Sequence, residues 1–530
     1  MSAWTENWPA TRLEAHFGDR VVQAFSPRPS SLFGLLQAAV TRNPDGEALV
    51  CGAERLSYRQ LLQQAGHLAA GLAARGVKAG DRVALLLGNR NEFVVTLYAT
   101  AWLGAIGVPL SIREQTSGLA YMLQQCGATV LVHESDLIDR LPQVAEVPTL
   151  QHRISVGGVD AQWPHWLQHG PLPAVATVAE EDTACILYTS GTTGRPKGAM
   201  LTHLGLVHSS MHYSIAMGLG SEDSTVAAVP LSHVTGLVAL ITTFTFCAGK
   251  LVIMPAFKAS EFLKLAVAER ITHTLMVPAM YNLCLLDPDF GAMDLRAWRV
   301  GAYGGAPMPV ASIKALAEKV PSLVLMNCYG STETTSPSTL MPQGQTSAHN
   351  DTVGKPLRCV EMCVMDDNGV ACAPGEQGEI WIKGPMVVAG YWDNPQATAQ
   401  NFTAGYWRSG DLGTIDAEGY VRVLDRMKDM INRGGYKIYT IEVENALYEH
   451  ATVQECAVVA KPCPVLGERV HAYVSLRPGL TVQPDALRAF CAERLSDYKV
   501  PESFTLLDTP LPRNANGKLL KRALRDAIAA

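Results

Sequence analysis

The chain has no run of Lys and Arg long enough to follow a phosphate backbone, and its net charge is −6, which argues against a nucleic-acid partner. It has no C-x-x-C pair. Its 12 cysteines are scattered singly, a pattern of reduced, buried thiols rather than of disulfides or a structural metal site. Residues 1–8 lack the basic and apolar regions of a signal peptide, and the closing Ala-Ile-Ala-Ala is no lipidation tail, so the expected location is cytoplasmic. Charged residues are sparse at 17%, but apolar content of 48% excludes a disordered chain and fits a globular enzyme. No low-complexity tract or short-period repeat occurs. Two stretches are long and weakly charged enough to compare with membrane spans, Val94 to Ile112 and Thr225 to Pro255. Internal Gly and Pro break both, and each reads as buried helix and strand.

What is present is alternation. Ser57-Tyr-Arg-Gln60 is a capping box opening a helix that Gly76 stops. Strand, helix, strand, helix and strand follow at 82–87, 91–103, 105–110, 118–125 and 129–132, and a similar series returns from 225 to 326. The expected class is α/β, with two sheet subdomains to about residue 353. From Gly354 the chain turns to short segments between Gly, Pro and Asp, a β-rich subdomain over about 354–424. Its 530 residues exceed one ordinary core. A boundary at Asp425-Arg426 separates a large domain, 1–424, from a small one, 425–530.

Five segments carry chemistry. In Tyr188-Thr-Ser-Gly-Thr-Thr-Gly-Arg-Pro-Lys-Gly198, Thr189, Ser190, Gly191, Thr192, Thr193, Gly194 and Lys197 can wrap a polyphosphate. The glycines admit backbone N–H groups to the anion, the hydroxyls donate, and the lysine adds charge. The spacing G-x-x-x-x-G-K-S/T of a Walker loop is absent. A flexible surface loop has the same composition. Apolar Ala184 to Leu187 predicts the buried strand that feeds it. After an expected strand at 298–302, Gly304, Gly305 and Ala306 give room for a flat ligand, or form a turn. In Asn327-Cys-Tyr-Gly-Ser-Thr-Glu-Thr334, Tyr329 can stack on a base beside Gly330, Thr332 can meet a phosphate, and Glu333 can bind Mg²⁺ or cap a helix. Asp411 can hold ribose hydroxyls, or occupy a turn, and Arg426 opens the segment that runs to Lys437. Lys518, behind Asn-Ala-Asn-Gly, is a presented lysine or a solvated tail residue.

In this order and at these distances the five segments resemble the adenylate-forming superfamily (acyl- and aryl-CoA synthetases, peptide-synthetase adenylation domains, beetle luciferase) over about residues 30 to 525. The resemblance implies that a carboxylate and ATP form an acyl-adenylate and pyrophosphate, and that a thiol then takes the acyl group. ATP and CoA are the implied co-substrates and Mg²⁺, on Glu333, the implied cofactor. Thr189 to Gly194 and Lys197 would close on the leaving pyrophosphate. Gly304, Gly305, Ala306 and Tyr329 would hold adenine, Thr332 the α-phosphate, and Asp411 and Arg426 the ribose. Lys518 would bridge carboxylate and α-phosphate. The small α+β C-terminal domain would be mobile about a hinge at Asp425, bringing Gly434, Gly435, Tyr436 and Lys437 to the pantetheine of CoA.

The same resemblance places His233 where relatives gate the acyl pocket, and as a candidate for the thiol's proton. A core histidine satisfied by backbone is the competing reading. Val234, Leu237, Met280, Tyr281, Gly304, Thr334 and Pro337 would shape that pocket. They carry no cation, and Ser232 to Leu237 holds no Asp for an α-ammonium. A hydrophobic acid, medium- or long-chain fatty or aromatic, is therefore expected. The alternative is an acyl-AMP ligase loading a separate carrier protein. A non-catalytic relative is disfavoured by intact Lys518, Asp411, Arg426 and Glu333. A homodimer and a lysine acetyltransferase acting on Lys518 complete the partners considered.

Overall fold

The computed structural model describes residues 8–167, 170–189, 195–306, 308–513 and 519–529. It divides into two compact units. The first comprises 1–307, 314–362 and 382–408, and the second 308–313, 363–381 and 409–530.

Two sheets organise the first unit. One runs in the order Lys197–Thr202, Thr183–Thr189, Ile106–Pro109, Arg82–Leu86, Val130–Glu134, His152–Val156. All its neighbours are parallel except the hairpin of Thr183–Thr189 with Lys197–Thr202. The other has nine strands, parallel from Val324–Tyr329 through Val300–Gly304, His273–Met276, Ser224–Ala227 and Lys250–Ile253 to Glu47–Cys51. Parallel strands need crossovers, and the intervening helices supply them. Ser57 caps the helix Tyr58–Ala73 and shares a reciprocal capping box with Gln60, as the spacing predicts.

The uncharged stretch from Val94 is explained by burial. Helix Asn91–Trp102 is enclosed on every face except at Glu92, and the strand Ile106–Pro109 that follows is fully buried. Among the described residues no helix is long and apolar enough to cross a membrane. All twelve cysteines are free thiols.

Two features differ from the alternation read along the chain. Residues 47–57, to which the alternation assigns no strand, form a hairpin that closes the edge of the nine-stranded sheet. An N-terminal hairpin, Thr11–His16 with Arg20–Phe25, precedes everything that was expected. Its Arg20 is 7% exposed and donates to the carbonyls of Val387, Val388 and Ala389.

In the second unit, residues 411–415 of the strand Tyr406–Ile415 pair with Val421–Arg426, with Asp411 opposite Arg426. A five-stranded sheet, in the order Tyr436–Ile438, Ile431–Arg433, Gly467–Leu476, Val453–Cys463, with Ser503–Leu507 on Gly467–Leu476, carries the remaining core.

Candidate active site

Three parallel-sheet features converge at the carboxyl end of Val324–Tyr329, where open α/β sheets bind ligands. The strand ends at Tyr329, which is half-buried, and exposed Gly330 leads to Ser331. Ser331 caps a single 3₁₀ turn, Thr332–Thr334. Because Gly304 pairs with Cys328 in parallel register, exposed Gly305 and Ala306 leave the sheet beside that turn. A Cβ at Gly304 would lie 2.5 Å from the Cys328 carbonyl oxygen, so only glycine lets these strands close. Gly304→Ala is expected to destabilise the first unit by about 1–3 kcal/mol. Urea unfolding checks this, and an unchanged midpoint would show that the strands yield.

Glu333 is 7% exposed and held from three sides. Ser331 Oγ donates to Oε2 at 2.5 Å, Tyr391 Oη to Oε1 at 2.9 Å, and Thr189 Oγ1 to Oε1 at 3.3 Å. Its own carbonyl accepts from the Val388 N–H at 2.9 Å. Thr189 closes the strand that feeds the Gly/Thr loop, so one end of that loop touches the carboxylate. Ser190, Gly191, Thr192, Thr193, Gly194 and Lys518 lie outside the described residues. Lys197 opens the return strand of the hairpin, with its ammonium 5.0 Å from the centre of the Tyr391 ring.

Past Glu333 the backbone is strained. Thr335 and Ser336 have φ of +49° and +28° without being glycine, a cost of about 1–3 kcal/mol each. Thr335 Oγ1 donates to the Met386 carbonyl at 2.7 Å, and the hydroxyls of Tyr213 and Ser336 lie 2.9 Å apart. These anchors keep the turn, and with it Pro337, in place.

His233 lies in the turn before a buried π-helix, Thr235–Thr242, a helix type frequent at functional sites. Its Nδ1 accepts from the Thr235 N–H at 3.3 Å. Gly236 is obligatory there, because a Cβ would meet the Pro230 carbonyl at 2.2 Å. Val234 and Leu237 are buried. Tyr281 is wholly enclosed: its hydroxyl donates to the Ala302 carbonyl at 2.8 Å and its ring stacks on Trp298. It belongs to the wall behind the turn rather than to an open surface.

The remaining candidates belong to the second unit. Asp411 is 5% exposed and lies on a strand rather than in a turn, ion-paired with Arg426 Nε at 3.1 Å. Asp425 is 1% exposed and accepts from Thr440 Oγ1 and the backbone N–H groups of Thr440 and Arg426. Burial pushes its carboxyl pKa up. Gly434 and Gly435, both at positive φ, form an exposed turn, and Tyr436 and Lys437 are exposed on the strand that leaves it.

Among the described residues no group of three or more His, Cys, Asp or Glu is placed to hold a metal. A lone carboxylate with hydroxyls around it suits Mg²⁺, which takes one or two carboxylates plus substrate phosphates and water. Glu333 therefore fits the implied ion. Tyr391, Ser331, Thr335 and Arg20 went unassigned in the sequence. Ser331 sits inside a legible motif, whereas nothing in Val387 to Trp392 marks Tyr391.

The chain is similar to known proteins over most of its length. Residues 36–392 match the AMP-binding enzyme family and residues 442–518 the AMP-binding enzyme C-terminal domain. A feruloyl-CoA synthase of Amycolatopsis sp is 34% identical over 483 residues, 91% of this chain and 96% of that protein. A fatty acid–acyl-carrier-protein ligase of Streptomyces coeruleorubidus is 33% identical over 509 residues, 91% and 93% of the two chains. The structure of O-succinylbenzoate coenzyme A synthetase from Bacillus subtilis, in complex with ATP and magnesium ion, superposes with a TM-score of 0.82 at 30% identity, covering 94% of this chain and 99% of that one.

Proposed function

The chain belongs to the family of AMP-binding enzymes and is an AMP-forming acid–thiol ligase of the acyl-CoA synthetase type, and from that premise we propose that its acid is hydrophobic, an aromatic or a medium- to long-chain fatty acid, and its acceptor CoA. One observation carries the choice of acid. From Ser224 to Gly249, the stretch that holds His233 and the π-helix, there is no Asp, Glu, Lys or Arg. A second carboxylate or an ammonium on the substrate would be desolvated there without a partner. A neutral tail carries no such penalty. The feruloyl-CoA synthase supports the aromatic arm of the reading.

Both the carboxylate and the α-phosphate it attacks are anionic, so charge neutralisation and in-line positioning must supply most of the catalysis. We assign Thr189 to Gly194 and Lys197 to the pyrophosphate and Thr332 to the α-phosphate. Gly304 to Ala306 and Tyr329 take adenine, Asp411 and Arg426 the ribose, and Lys518 the charge developing between the reactants. Mg²⁺ on Glu333 would neutralise phosphate charge. For the thiol step, the domain from Asp425 would turn about that residue and present Gly434 to Lys437 to pantetheine. Asp425 is tied by its side chain to Thr440, at the start of a helix in the same unit, an attachment that would suit a pivot.

The test is a mass-spectrometric screen of fatty acids, benzoates and cinnamates with ATP and Mg²⁺, with and without CoA. Acyl-CoA from one hydrophobic class is expected. Turnover of dicarboxylates alone would refute the assignment. Acyl-AMP that accumulates although CoA is present would favour a carrier protein as acceptor, the reading that the carrier-protein ligase relative supports. A narrower prediction concerns Asp411. Asp411→Ala is expected to raise KM for ATP roughly 10- to 100-fold with a smaller effect on kcat, because ribose contacts precede the transition state. An unchanged ATP dependence would remove Asp411 from the site.

A further inference from the structure

Glu333 owes its orientation to a residue about 60 positions further along a chain of unrelated texture. Tyr391 is 4% exposed, its hydroxyl lies 2.9 Å from Oε1, and its ring faces the Lys197 ammonium at 5.0 Å. We infer that Tyr391 is a positioning residue that couples the two charged groups: the phenol sets the rotation of the Glu333 carboxylate while the ring seats the lysine of the phosphate loop. The inference rests on the ligase reading, in which both groups serve the metal–nucleotide.

Three observations support it. The phenol is buried, and the one proton it can donate goes to Oε1. Its backbone is fixed to the loop's return strand, with the Trp392 N–H donating to the Gly198 carbonyl at 2.7 Å and the Met200 N–H to the Gly390 carbonyl at 3.0 Å. The preceding carbonyls, 387 to 389, are gripped by the Arg20 guanidinium at 3.1, 2.9 and 3.2 Å. The hairpin that carries Arg20 lies outside the matched family segment. A side chain held at its own backbone, with its ring packed edge-on against Phe402 at 5.8 Å, cannot follow the carboxylate. The carboxylate must follow it. Partners that orient a metal-binding carboxylate in this way are commonly worth roughly 10- to 100-fold in metal affinity.

The experiment is equilibrium binding of a non-hydrolysable ATP analogue to the full chain, by calorimetry, in Mg²⁺ and in EDTA. Tyr391→Phe keeps the ring and removes the donor. It is expected to weaken binding in Mg²⁺ roughly 10- to 100-fold and to leave metal-free binding at the wild-type value. In a Glu333→Gln background the same change is expected to have no further effect, because the hydroxyl acts only through the carboxylate. Equal losses with and without metal would mark a merely structural role and overturn the inference, as would losses that add to those of Glu333→Gln. If Tyr391→Phe alone does not fold, Glu333→Gln and the double variant still decide by the same criterion. Wild-type protein that binds the analogue in neither condition would overturn the ligase reading and the inference together, whereas binding that ignores Mg²⁺ would overturn the inference alone.

Discussion

Lys518→Ala is expected to slow acyl-adenylate formation by about 10²- to 10³-fold while thioester formation from supplied acyl-adenylate keeps its wild-type rate. The lysine closes the segment Pro512 to Lys518, and in the proposed scheme the two half-reactions ask opposite things of it. Adenylation brings two anions together and needs a cation between them. Thiolysis attacks an acyl carbon that is already activated, from a face that the same cation would obstruct. In the proposed scheme, domain rotation about Asp425 would reconcile the two by carrying Lys518 away as Gly434 to Lys437 arrive. Pyrophosphate exchange reads the first half-reaction, and CoA-dependent consumption of synthetic acyl-AMP reads the second. Equal loss of both would show that the lysine serves the fold or both steps alike, and the rotation scheme would fall.

Glu333→Gln is expected to lower adenylation by about 10²-fold and to raise the Mg²⁺ concentration needed for half-maximal rate. The substitution changes charge and little else. Gln fills the same volume, and the hydroxyls of Ser331, Tyr391 and Thr189 can reorient to accept from its amide. Removing a buried charge that has no cation in hydrogen-bonding range among the described residues should not destabilise the unit, so the thermal midpoint is expected to hold or rise. A Mg²⁺ profile identical to wild type would exclude Glu333 from the metal, whatever happened to the rate.

The elements that were legible share a physical cause. Helix Tyr58–Ala73 was legible because its cap is written in four consecutive residues, and the buried character of Asn91–Trp102 because its apolar residues face every direction. Val300–Gly304 was expected two residues early, since a strand lying beside two others in a sheet interior has no polar alternation to mark its ends. The place of residues 47–57 at the edge of the nine-stranded sheet was not legible. Which sheet edge a hairpin joins depends on partners some 200 residues away, such as Lys250–Ile253, and no local pattern records that. Asp411 could be read as a turn residue because Gly410 precedes it, and only its register opposite Arg426 assigns it to a ladder.

Membership of the AMP-binding enzyme family was therefore carried by local sequence. Phosphate-wrapping loops, a carboxylate after an aromatic and a presented lysine are short motifs whose function depends on adjacent backbone, and adjacency in the chain encodes it. The aim of the carboxylate was decided only in three dimensions. Glu333 points where it does because Tyr391, Ser331 and Thr189 converge on it and Arg20 braces the segment behind Tyr391. Ser331 is only two residues from Glu333, but the bonds from Tyr391 and Thr189 span 58 and 144 positions and form only once the sheets are in place, so nothing short of the folded chain could specify them.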